Sequence, residues 1–106
     1  MRSQRLLEIR KEINEVLKEL KNELNAKVYL FGSYAKGTHT LESDVDIVVI
    51  SEKFKGINFV DRVEMIRLKL PENVGFDIIA LTPEELKEKK KKAFYKDISK
   101  YWIEIK

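Results

Sequence analysis

No cysteine occurs among the 106 residues, so there is no disulfide framework, no thiolate nucleophile and no Cys-based metal site. A single histidine, His39, excludes the paired-His zinc motifs, and any metal must be held mainly by oxygen atoms. With two prolines and four glycines, no stretch reads as a linker or a low-complexity tail. Apolar runs such as Ile47-Val48-Val49-Ile50 stop at four residues, against the roughly 20 that a membrane span needs. Met1-Arg2-Ser3-Gln4-Arg5 lacks the apolar stretch of a signal peptide, and the expectation is a cytoplasmic protein with no membrane contact. A dominant charge is missing too: 21 Lys and Arg against 18 Asp and Glu leave a net +3, too little by itself to argue for nucleic acid.

What is present is enough apolar material, 43% of residues, for one core, and residues 1–106 read as a single domain. Sixteen Lys and 13 Glu supply most of the charge, the usage reported for hyperthermophile proteins. From Arg5 to Leu24, Leu6, Ile9, Ile13, Val16, Leu17, Leu20 and Leu24 recur every three or four positions, which predicts an amphipathic helix. Val28-Tyr29-Leu30-Phe31 predicts a buried strand ending at Gly32, with a helical turn and a loop after it up to Glu42. Val45 to Ile50, apolar on both faces, predicts a central strand. Phe59, Val63, Ile66 and Leu70 predict a helix that Pro71 stops, and Val74 to Leu81 another strand. Thr82-Pro83-Glu84-Glu85 joins a Thr N-cap, Pro at the first helical position and Glu at the third, a capping box that opens a last helix. Leu86, Ala93, Phe94, Ile98, Tyr101 and Trp102 should form its inner face, with the final residues free to peel away as a short strand. Lys90 falls on the stripe that should be buried, as an interface or a snorkelling stem would explain, while the rest of the run Lys87 to Lys92 reads as solvated. The order of elements predicts an α/β or α+β fold, a small mixed sheet packed by helices.

Three of the five aspartates, Asp44, Asp46 and Asp77, sit in or beside the most apolar strand-like segments. Residues two apart in a strand share a face, so Asp44 and Asp46 should project together. In Gly75-Phe76-Asp77-Ile78-Ile79 a lone carboxylate would be costly to desolvate, and a cationic partner is expected to face Asp77. Taken singly, Asp44 and Asp46 could belong to a turn leading into the strand, and Asp77 to a buried ion pair. Taken together, three carboxylates with no Cys and one His suit a hard divalent cation, Mg²⁺, which commonly brings phosphates. In Phe31-Gly32-Ser33-Tyr34-Ala35-Lys36-Gly37, a strand ending in Gly-Ser offers backbone N–H groups and a hydroxyl, and Gly32 puts no Cβ in a phosphate's way. Lys36 is either a phosphate contact or a solvated loop lysine. His39 reads as a bystander, because Mg²⁺ prefers oxygen.

Gly32-Ser33, ten intervening residues and then Asp44-Val45-Asp46 resembles the signature of the nucleotidyltransferase superfamily that includes DNA polymerase beta. Ser43 before Asp44, Ile47-Val48-Val49 after Asp46 and the later strand residue Asp77 fit the same pattern. The length resembles the minimal nucleotidyltransferase (MNT) subfamily of stand-alone catalytic cores. One departure is Lys36-Gly37 where many relatives carry Arg-Gly, which keeps the charge and loses the planar fork. The resemblance implies a nucleotidyltransferase fold in which Gly32 and Ser33, with Lys36 beside them, hold the phosphates of ATP or another NTP. It implies that Asp44 and Asp46 bind Mg²⁺, and that Asp77 completes a second metal position and helps deprotonate an acceptor hydroxyl for in-line attack on the α-phosphate. It further implies an antitoxin that transfers AMP to a tyrosine of a HEPN-type toxin partner. Two other readings stay open: a small-molecule nucleotidyltransferase acting as a homo-oligomer, and a non-catalytic module that binds nucleotide or a partner. Nucleic acid is not the expected direct substrate, since 106 residues hold no additional domain to grip it.

Overall fold

The computed structural model describes residues 4–37 and 44–106. Helix α1 (Gln4–Leu24) forms where the apolar stripe predicts it, with Ile13, Leu17, Leu20 and Leu24 buried and the mixed-charge face outside. Burial of each such side chain contributes about 1.5–3 kcal/mol, more than the intrinsic propensities of the same residues supply. Asn25, at φ 47, turns the chain out of the helix, and Ala26 N–H closes on Lys21 O at 2.9 Å. Strand β1 (Lys27–Phe31) follows directly and runs into a short helix, α2 (Gly32–Lys36).

Strand β2 (Val45–Ile50) pairs antiparallel with β1 and parallel with β3 (Phe76–Leu81). The crossover between β2 and β3 carries α3 (Phe59–Arg67). Strand β4 (Ile103–Glu104) pairs antiparallel with the outer side of β1, which makes the sheet order β3-β2-β1-β4. The mixed sheet packed by helices is the predicted class, and β2 lies inside it as its apolar sequence demands. One sheet face, with Val28, Leu30, Val45, Ile47, Val49, Ile78 and Ala80, packs with Leu17, Leu20, Phe54 and Ile66 as the main core. The other carries a smaller cluster of Val48, Ile50 and Leu81 with Tyr29, Phe31, Ile79, Leu86 and Trp102. Side chains alternate along a strand, so Asp46 shares this second face with Val48 and Ile50, and Asp77 shares it with Ile79 and Leu81.

Three local expectations are corrected. Helix α3 ends at Arg67, ahead of Pro71, because residues 68–70 tighten into a closing turn with Lys69 N–H on Ile66 O and Leu70 N–H on Arg67 O. The strand expected from Val74 begins at Phe76. The single last helix is instead α4 (Pro83–Lys89) and α5 (Ala93–Ile98), followed by a 3₁₀ turn over Ser99–Tyr101. The break comes where Lys91 N–H bonds Glu88 O and Lys92 N–H bonds Lys89 O, which ends the 3.6-residue phase. Phe94 and Tyr101, expected inside, are therefore 69% and 67% exposed, and Ala93 is exposed as well. Leu86 and Trp102 do reach the sheet, and the chain end does peel away as β4. No helix among the described residues is long and apolar enough to cross a membrane.

Candidate active site

Parallel pairing of β2 with β3 sets Asp46 directly opposite Asp77, and antiparallel pairing of β1 with β2 sets Phe31 opposite Asp46. The row Phe31, Asp46, Asp77 therefore crosses three strands on one face, and Gly32 follows Phe31 at the end of β1. Asp44 stands just before β2, where Val45 N–H bonds Gly75 O at 2.9 Å. All three candidate carboxylates thus gather where β2 and β3 begin and β1 ends.

Two glycines make room for two of the carboxylates. Gly32 has φ 68, and a Cβ there would overlap the Asp46 carboxylate. A Cβ at Gly75 would overlap the carboxylate of Asp44 in the same way. Any other residue at position 32 would need both a left-handed backbone and a displaced Asp46. Gly75 is the residue that the sequence reading did not single out; its signal was a glycine immediately ahead of the strand that bears Asp77.

Helix α2 begins without a side-chain cap, so the first N–H groups of its turn are left over by the helix itself. Ser33 follows Gly32 on this turn and Lys36 lies exposed at its far end. Gly37, at φ 75, closes the helix with its N–H on Ser33 O. The readings of His39 and Ser43 lie outside the described residues.

The electrostatics of the cluster are one-sided. Burial, then the hydrogen bond with Asp77, then the charges of Asp77 and Asp44 raise the Asp46 carboxyl from 3.8 to about 6. Among the described residues the cationic partner expected for Asp77 is not its strand neighbour: Asp46 stands opposite it, and the two carboxyls are hydrogen-bonded. In-register pairing of two strands that each carry an Asp produces this directly. Among the described residues no three His, Cys, Asp or Glu side chains close into a finished metal cage. The donors nevertheless fit a hard cation: they are oxygen atoms, and the charges of Asp77 and Asp44 both act against ionisation of Asp46, a cost that a bound cation would offset.

A small mixed sheet with a Gly-Ser turn packed against paired aspartates defines the class as a nucleotide-transferring core. The nucleotidyltransferase domain family matches residues 10–104, and the chain belongs to that family, among its minimal members. It is similar to the candidate protein adenylyltransferases MJ0141 and MJ1379 of Methanocaldococcus jannaschii. The first is 28% identical over 89% of this chain and 99% of that one. The second is 34% identical over 71% and 79%. A crystal structure of a candidate nucleotidyltransferase from Sulfolobus solfataricus superposes with a TM-score of 0.62 at 27% identity, covering 82% of each chain. Domains of this family generally use a divalent metal.

Proposed function

We propose that the protein is a Mg²⁺-dependent adenylyltransferase that moves AMP from ATP to a protein hydroxyl, a tyrosine of a HEPN-type toxin, and so acts as an antitoxin. The observation that carries the transfer chemistry is the packing of the Gly32-Ser33 turn against Asp46, with Asp77 hydrogen-bonded beside it. The names of the two relatives support a protein as acceptor. The MNT resemblance supports the toxin partner.

In this reading Gly32 and Ser33 hold the β- and γ-phosphates through backbone N–H groups and the Ser33 hydroxyl, and Lys36 adds positive charge on the same side. Asp44, Asp46 and Asp77 would hold the Mg²⁺, which when bound offsets charge on the triphosphate. Asp77 is exposed and so open to an incoming acceptor, whose hydroxyl proton it takes. The acceptor oxygen bonds to the α-phosphorus, the bond to the β-phosphate oxygen breaks, and pyrophosphate leaves.

The test is to incubate the full chain with α-labelled ATP and Mg²⁺, with and without a HEPN-type protein from the same genome, and to locate the label. Label on a tyrosine of the partner, absent with Asp44→Asn, supports the proposal. Label appearing only on an added small molecule replaces it with the small-molecule reading. No label in a formed complex replaces it with the binding-module reading.

A further inference from the structure

Arg10 lies on α1, outside the Gly, Ser and Asp set, yet it reaches the turn that carries Gly32 and Ser33. Its Nη1 donates to the Tyr34 backbone carbonyl at 2.7 Å. Helix α2 has only five residues, closed at its end by Gly37 N–H on Ser33 O, and Arg10 takes hold of it one residue further along. The Tyr34 ring sits in the main core at 2% exposure. Burial raises its phenol pKa, and the Arg10 charge works against that rise.

Among the described residues Arg10 Nε is buried without an acceptor, and Asn14 Oδ1, one turn along the same helix, is buried without a donor. An apolar side chain would avoid this cost, so helix stability alone gives no reason for an arginine here. The bond to Tyr34 does. Gly32 stands in a left-handed conformation hard against the Asp46 carboxylate, and no side chain caps the start of α2. A turn so tightly placed and so short needs a brace from outside itself.

We infer that Arg10 is a positioning residue that holds the Gly32-Ser33 turn against Asp46 through the Tyr34 carbonyl. Its consequence for triphosphate affinity rests on the nucleotide reading above.

The test uses the full chain with Arg10→Met, which removes the donors, and Arg10→Lys, which keeps one donor group and the charge. Amide hydrogen exchange, thermal unfolding and equilibrium binding of ATP and of AMP, each with Mg²⁺, are measured on both. In Arg10→Met the amides of 32–37 exchange about tenfold faster while β1 and β2 are unchanged, and ATP binds about tenfold more weakly. AMP, lacking the β- and γ-phosphates, loses little affinity, and Arg10→Lys recovers most of both effects. Unchanged exchange over 32–37 overturns the inference, whatever happens to the nucleotide. So does a lowered thermal midpoint with ATP and AMP weakened alike, which marks a merely structural arginine. So does unchanged ATP binding in Arg10→Met when Ser33→Ala weakens it. If the wild type binds no ATP but exchange over 32–37 still rises in Arg10→Met, the bracing role stands and the nucleotide reading fails.

Discussion

At the scale of single residues, Asp46 shows how a site that suits a cation weighs on the metal-free fold. An unfolded chain releases this proton near the ordinary 3.8, and the native chain keeps it up to about 6. The native state thus binds more protons between those values. The contribution to stability is full below 3.8 and is lost as pH rises through about 6. Asp46→Asn keeps the shape and removes the charge. In chelator, urea unfolding should find this variant more stable than wild type by about 1–2 kcal/mol near neutral pH, the shift being discounted for partial exposure, and little different near pH 4. Transfer should fall by about 10²-fold or more in the same variant. Equal stability at neutral pH would mean that neither burial nor the neighbouring carboxylates raise the Asp46 carboxyl in the native chain. Glycine supplies a second contrast at this scale. Gly32→Ala and Gly37→Ala both pay for a left-handed backbone, about 1–2 kcal/mol each. Only the first also strikes Asp46, since a Cβ at Gly37 would meet no described atom within 4 Å. Thermal unfolding should therefore rank Gly32→Ala clearly below Gly37→Ala, and transfer should be lost in Gly32→Ala alone.

At the scale of elements, the best-specified boundary in the sequence is also the one tied most firmly to the rest of the fold. Thr82 and Glu85 form the predicted capping box, with Glu85 N–H on Thr82 Oγ1 and Thr82 N–H on Glu85 Oε1. What the sequence does not reveal is that Arg62, on α3 of the crossover, grips the same carboxylate with both terminal nitrogens. Its Nε bonds Ile57 O and its Nη1 also bonds Ala80 O, so one buried arginine joins α3, β3 and α4. No periodicity in one helix can announce a partner that only the sheet brings near. The Arg62 hydrogen bond, then the Thr82 backbone, hold the Glu85 carboxyl down from 4.5 to about 2. This contribution is present above the unfolded value and is lost as pH falls through about 2. Glu85→Gln should cost about 1 kcal/mol at neutral pH, screening at its half-exposed side chain being allowed for, with the difference from wild type vanishing near pH 2. Arg62→Met should cost more, about 2–4 kcal/mol, because it also leaves backbone carbonyls unpaired. The reverse order in denaturant unfolding would contradict the joining role. The last helix misled the sequence reading for a related reason: Phe94 and Tyr101 fit a continuous period, but a run of lysines from 89 to 92 has no apolar residue to hold the helix to the sheet through its break.

At the scale of the whole molecule, the site exists only because of the sheet order. Asp44 and Asp46 were legible as neighbours from a spacing of two, and the Gly-Ser turn from its place after a strand. The pairing of Asp46 with Asp77, 31 positions away, depends on the parallel register of β2 and β3, which local sequence does not encode. The same order decides how the edges are closed. β4 is only two residues long, yet it covers the outer side of β1, and Ile105 N–H extends the contact to Val28 O at 2.8 Å. Ile105 is buried and Trp102 packs 5.5 Å from Tyr29 and 6.4 Å from Phe31, ring centre to ring centre. Ending the chain after Tyr101 would uncover the backbone of β1, a five-residue strand that is apolar after Lys27, and strip Tyr29 and Phe31 of their cover. An uncovered strand of that composition pairs with another copy. Analytical ultracentrifugation across a concentration series should therefore show the truncated chain associating at concentrations where the full chain does not, with a lower thermal midpoint. Adding a charge to the bared strand, as Tyr29→Lys in the truncated chain, should suppress the association without restoring the midpoint, which separates the loss of edge cover from the loss of packing. A truncated chain that sediments like the full one at every concentration would mean that β4 contributes packing alone.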